Sequence, residues 1–370
     1  MQVASGNLDV VTFIVASIIK IVVVLVALLT IVAYTVWLER KLVGRMQNRW
    51  GPSRVGPFGL LQPLADGLKF IFKEDLTPPY VDKGLYLLAP VLSLTTALIS
   101  ISVVPFGNQV TLRIPALLQK IPLLGRLDGV TTPLQITDTQ VGLLIILGVT
   151  SIGVYGIALA GWSSNSKYSL LGSLRASAQM VSYEVALGLS LIGVLILGGT
   201  FSLSGIVASQ KGFFFGFIPR WNIFHLFPLQ LIAFVIYLTA AFAETNRVPF
   251  DLPEAETELV AGYHTEYSSM KFAMFFMAEY ANMVTVACVA SLLFLGGWTG
   301  PVFGPAPLRA LLPVIWFLLR VFVFLFLYIW IRGTLPRFRY DQLMAFSWKV
   351  LLPLAMANVI MTSLVVALTS

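Results

Sequence analysis

Hydrophobic and polar positions alternate along this chain in long blocks, not in short periods. Eight apolar runs are separated by polar, turn-rich segments. Each is close to the roughly 20 residues that a helix needs to cross a hydrocarbon core at about 1.5 Å per residue. They cover residues 11–38, 84–106, 140–162, 178–199, 227–244, 275–298, 310–331 and 345–368. The expected fold is an all-α polytopic membrane protein, one membrane domain over 1–370. The first run lacks a basic leader and continues into Glu39-Arg40-Lys41, the pattern of a permanent span rather than a cleaved signal.

The first loop, 39–83, interrupts the pattern with a different period. Gln62, Asp66, Lys69 and Lys73 recur at spacings of four, three and four, while Leu61, Leu64, Leu68, Ile71 and Phe72 fall elsewhere. Residues 60–73 are thus expected to form an amphipathic helix lying on the membrane surface, its apolar face too wide for a solvated linker. The Gly51-Pro52-Ser53-Arg54-Val55-Gly56-Pro57 stretch before it turns the chain.

Composition supports the membrane assignment and narrows the chemistry. Of 370 residues 58% are hydrophobic and only 11% charged, against about 25% charged in a soluble domain. The net charge of +7 does not form a nucleic-acid stripe, because the basic residues cluster in loops beside apolar runs. Odd-numbered loops carry fifteen of them and even-numbered loops six. The positive-inside rule then puts the odd loops on the cytoplasmic side and both termini on the other. A bacterial plasma membrane is the expected setting, with an organellar inner membrane as the alternative. A single cysteine, Cys288, permits neither a disulfide nor a four-cysteine cluster, and His225 and His264 are the only histidines. Dinucleotide and P-loop glycine motifs are missing too. No cofactor and no metal is expected to be bound by this chain.

Acids placed where they cost energy carry the functional signal. A charge at the centre of a membrane helix costs about 2.5–3.5 kcal/mol, so such residues are functional candidates. Glu39 ends the first run, Glu184 lies early in the fourth, Glu244 closes the fifth and Glu279 lies early in the sixth. With the topology above, the four fall within roughly 10 Å of one depth on the cytoplasmic side. A row of carboxyl groups that exchange protons near neutral pH is what a proton relay requires. The competing explanation is static ion pairing, for which Arg320 in the seventh run is an obvious buried partner. The loop 245–274 adds Asp251, Glu254, Glu256, Glu258 and Glu266 behind Arg247. Asp251 as N-cap with Glu254 three residues later would make a capping box. That leaves Glu256, Glu258 and Glu266 unexplained, and suggests a charged entry to the relay or an acidic surface for a basic partner.

Four segments resemble a known family: LERKLVGRMQNRWGPSRVGPFGLLQPLADGLKFIFKED (38–75), SNSKYSLLGSLRASAQMVSYE (164–184), AETNRVPFDLPEAETELVAGYHTEYSSMKFAMFFMAEY (243–280) and PRFRYDQLM (336–344). They are similar to the subunit 1 family (the H subunits) of type I NADH dehydrogenase, respiratory complex I. The resemblance implies an eight-helix membrane subunit at the foot of a hydrophilic redox arm, inactive alone, that forms the entrance of a quinone chamber. Flavin mononucleotide and iron–sulfur clusters would sit in partner subunits, and quinone would be the substrate. The chamber would be lined by Arg40, Asp66, Arg247, Phe276 and Met277. The proton path would use Glu39, Glu184, Glu244 and Glu279, with Glu254, Glu256 and Glu258 at its entry. Implied partners are quinone-site subunits of the arm, small membrane subunits, antiporter-like subunits and the lipid bilayer. Two alternatives stay open: a stand-alone proton-coupled transporter, and a homologous subunit of a membrane-bound hydrogenase or a ferredoxin- or deazaflavin-linked oxidoreductase. A transporter would be expected to show internal repeats, and none is evident.

Overall fold

A computed structural model describes residues 10–111, 131–214, 216, 218–251 and 261–369. Eleven α-helices, among the described residues, account for nearly all its regular structure: α1 Val10–Met46, α2 Gln62–Phe72, α3 Lys83–Ser100, α4 Gly142–Ser163, α5 Lys167–Gly198, α6 Leu203–Ser209, α7 Leu229–Glu244, α8 Ser269–Phe294, α9 Ala306–Thr334, α10 Tyr340–Phe346 and α11 Leu352–Thr369. The π-helical turn Ser347–Leu351 joins the last two into one apolar unit. Seven of the described helical units are long and apolar enough to cross a membrane, and α7, with 16 residues, is a shorter apolar eighth. The chain is therefore an all-α polytopic protein. Two antiparallel hairpins in the loops, Gln109–Thr111 with Thr131–Pro133 and Phe213–Phe214 with Ile218–Pro219, are the only strand pairings among the described residues.

Helix ends depart from the apolar runs where polar residues continue the helix. The fourth apolar run begins at 178, but α5 starts at Lys167, because 167–177 contains good helix formers and no breaker apart from one glycine. At 37 residues, α1 is about 55 Å long. It overshoots the roughly 30 Å hydrocarbon core and carries Arg40 and Arg45 beyond it. The amphipathic helix forms as α2, with Pro63 in its first turn. None of its residues is buried in the protein, and Leu64, Leu68, Ile71 and Phe72 stay exposed along one side. That side makes an exposed apolar stripe. The other end of α2 is tied down: Ser269 Oγ donates to the carbonyls of Phe70 (2.8 Å) and Lys73 (3.1 Å), satisfying acceptors that a helix C-terminus leaves open.

α8 is the central pole, with two thirds of its apolar window buried, while only 6% of the α1 window is buried. α3, α4 and α5 pack side by side through small residues. A Cβ on Gly156 would fall 2.2 Å from Ser93 Oγ, and one on Gly161 1.9 Å from Ser173 Oγ. In lipid there is no hydrophobic drive between helices, so such close backbone approach is a main source of association.

Candidate functional site

The N-terminal half of α8 and the loop before it gather the acids. Glu279 lies ten residues into α8. Tyr263 donates to Glu279 Oε1 at 3.0 Å, Arg247 meets its Oε2 at 3.4 Å, and His264 Nε2 lies 3.8 Å from Oε1. The Arg247 guanidinium also stacks 4.1 Å over the Tyr280 ring, and Tyr280 Oη donates to Glu39 Oε2 at 2.9 Å. Glu39 in turn is held by Arg332 of α9. One network thus runs Arg332–Glu39–Tyr280–Arg247–Glu279 across α9, α1 and α8. Glu39 and Glu279 are paired acids. Arg320 belongs to neither pair: it donates to the carbonyls of Gly297 and Thr299 and stacks over Trp221. The competing explanation by static ion pairing thus does not draw on Arg320. Carbonyls presented by the glycine-rich turn after α8 hold both of its terminal nitrogens.

Glu244 differs. It ends α7, and among the described residues no arginine or lysine lies within ion-pair distance of it or of Glu184. Glu184 lies on α5, which packs against α7. Between Glu244 and Glu279 lies a cavity of about 20 Å³, lined also by Ser93, Tyr263 and Asn282. A water molecule needs roughly 10–15 Å³ of such space and two to four polar partners. Three buried polar atoms on this wall have no hydrogen-bond partner among the described residues: Ser93 Oγ, Glu244 Oε2 and Asn282 Oδ1. The space and the orphaned atoms match one water between the two carboxyl groups.

The residues implied to line a chamber divide between the surface helix, α8 and the Glu279 cluster. Arg40 of α1 bonds Asp66 of α2 at 2.7 Å, and Gln62 supports the same carboxylate at 3.1 Å. Phe70 of α2 meets Phe272 at 6.2 Å between ring centroids, Phe272 meets Phe276 at 4.7 Å, and Phe276 meets His264 at 5.7 Å. An aromatic wall therefore leads from the surface helix to the Glu279 cluster. Met277, next to Phe276 in sequence, is half-buried. Arg247 is not on this wall and faces Glu279 instead. Asp251 pairs with Arg337 at 3.1 Å. Glu254, Glu256 and Glu258, and with them the expected capping box, lie outside the described residues. The sequence alone does not single out Tyr263, His264, Tyr280, Asn282 or Arg332. Their signal is present, in that polar and aromatic residues crowd one end of an otherwise apolar helix. Their partnership depends on packing that no spacing reveals.

A bundle around one central pole, an amphipathic helix beside it and a layer of buried acids define a multi-spanning membrane protein. Comparisons with known proteins make this specific. The family model described as NADH dehydrogenase matches residues 19–363. The chain is 70% identical to the NADH-quinone oxidoreductase H subunit numbered 2 of Koribacter versatilis, over 96% of this chain and 98% of that one. It is 52% identical to the H subunit numbered 1 of Geobacter sulfurreducens over 95% of each, and 49% identical to the H subunit numbered 1 of Solibacter usitatus over 97% and 98%. The chain belongs to the NADH dehydrogenase family, among the H subunits of NADH-quinone oxidoreductases. It is a multi-pass component of an oxidoreductase complex, and the stand-alone transporter is set aside.

Proposed function

We propose that this subunit admits a quinone from the bilayer between α1, α2 and α8 and couples its reduction to proton movement through Glu279, Glu244 and Glu184. The aromatic wall Phe70–Phe272–Phe276, ending on the Glu279 cluster, carries this reading. A quinone ring stacks on aromatic faces and needs few polar contacts until its carbonyls reach charged groups. Electrons arrive from flavin mononucleotide and iron–sulfur clusters in partner subunits of a hydrophilic arm, and the quinone takes up two electrons and two protons. Charge that develops on it beside Arg247, His264 and Glu279 changes the proton affinity of Glu279. A water in the small cavity passes that change to Glu244 and on to Glu184, toward small and antiporter-like membrane subunits. Glu39, pinned by Arg332 and Tyr280, holds the network in place. Glu254, Glu256 and Glu258 supply its entrance. Arg40 and Asp66 hold α2 against α1 and so frame the opening. Both termini lie on the side of the membrane away from this layer.

Photoaffinity labelling of the assembled enzyme with an azidoquinone tests the binding half. Label on α2 and on 272–277, displaced by excess quinone, is expected. Label confined to partner subunits would overturn it.

A further inference from the structure

Away from the acid layer, α1, α8 and α9 flank a crevice of about 350 Å³ with an apolar lining. Its walls are carbon from Leu28 and Ile31 of α1, Val284 and Cys288 of α8, and Phe317 and Val321 of α9. Lys20 of α1 and residues 132–135 also line it. Among the described residues no carboxylate lies within ion-pair distance of this ammonium group. A cation on the lipid-facing helix of a bundle is expensive unless it reaches a headgroup or a counter-charge.

Its depth says which. Lys20 precedes Glu39 by nineteen residues of continuous helix, about 28 Å along the axis, which is close to the full thickness of the hydrocarbon core. With Glu39 at one interface, Lys20 stands at the headgroup level of the opposite leaflet. Ile31, at the inner end of the crevice, lies eleven residues from Lys20, about 16 Å on. That is half the core, the reach of one acyl chain from headgroup to midplane.

We propose that this crevice is a binding site for an anionic phospholipid of the leaflet opposite the acid layer, its phosphate on Lys20 and one acyl chain along α1. A quinone tail would leave Lys20 without a counter-charge. Val284 and Cys288 also lie five and nine residues beyond Glu279 on α8, further along the helix than Phe272 and Phe276 of the aromatic wall. A transmembrane helix of another subunit would press carbon against the ammonium. The site stands independently of the quinone reading.

The assembled complex, reconstituted with a trace of phosphatidylglycerol or phosphatidylcholine bearing an acyl-chain diazirine, tests this by mapping of cross-linked peptides. The phosphatidylglycerol probe should label 20–31 and 284–288 about fivefold more than the phosphatidylcholine probe, the weight of one basic side chain at an anionic surface. Lys20→Ala should abolish the preference and Lys20→Arg should keep it. Equal labelling by the two probes, a preference that survives Lys20→Ala, loss of label to excess quinone, or no label in the crevice would each overturn the proposal. The wild-type ratio decides alone where a variant fails to assemble.

Discussion

Asn282→Leu separates a wet from a dry link between Glu244 and Glu279. The substitution nearly conserves volume and removes Oδ1, one of three orphaned polar atoms on the 20 Å³ cavity. In a dry cavity that acceptor is an unmet polar group costing about 1–3 kcal/mol, so its removal would stabilise the protein and leave turnover alone. In a wet cavity the water keeps Ser93 and Glu244 but loses one of about three hydrogen bonds, roughly 1–1.5 kcal/mol, a factor of about ten in its affinity for the site. Proton-coupled quinone reduction in proteoliposomes should then fall by up to about tenfold, with assembly and thermal stability within about 1 kcal/mol of wild type. A variant of raised melting temperature and unchanged coupled turnover would refute the water link.

Other expectations are simpler to state. Asp66→Ala breaks the half-exposed pair with Arg40, a contact worth at most about 1 kcal/mol to stability; a raised KM for quinone with an unchanged melting temperature is expected, and an unchanged KM would remove the pair from the opening. Gly161→Ala would put Cβ 1.9 Å from Ser173 Oγ and should lower stability by about 1–3 kcal/mol, partly recovered by Ser173→Gly. No loss would mean that α4 and α5 are not in close contact. Burial, with Arg220 nearby, holds the His225 imidazole below its ordinary value of 6.5. Its contribution is present above that value and lost as pH falls through the lowered one. Melting curves of His225→Phe should therefore lose part of the wild-type decline between about pH 7 and 5, and an identical decline would contradict the assignment.

Much of this architecture was legible from the blocks of apolar residues, because a membrane helix must bury its backbone polar groups within itself and so announces itself by length. The surface helix was legible from its polar stripe alone, to within two residues at its start and one at its end. Helix ends inside loops were not: at Lys167 nothing apolar marks the start of α5. The acids were conspicuous as charges in apolar runs, yet their roles diverge in ways that only packing decides. Glu39 and Glu279 are held by Arg332 and Arg247, whereas Glu244 faces a small polar cavity. Arg320 shows the converse. A buried arginine suggests a carboxylate partner, but the backbone carbonyls of a turn serve it here.

Everything proposed for the acid layer turns on whether Glu244 and Glu279 carry protons linked to quinone reduction. Proton uptake per electron, followed in proteoliposomes of the assembled enzyme carrying Glu244→Gln or Glu279→Gln, measures this directly. Each variant should assemble normally and lose proton-coupled quinone reduction. Wild-type turnover with wild-type proton stoichiometry would contradict the relay.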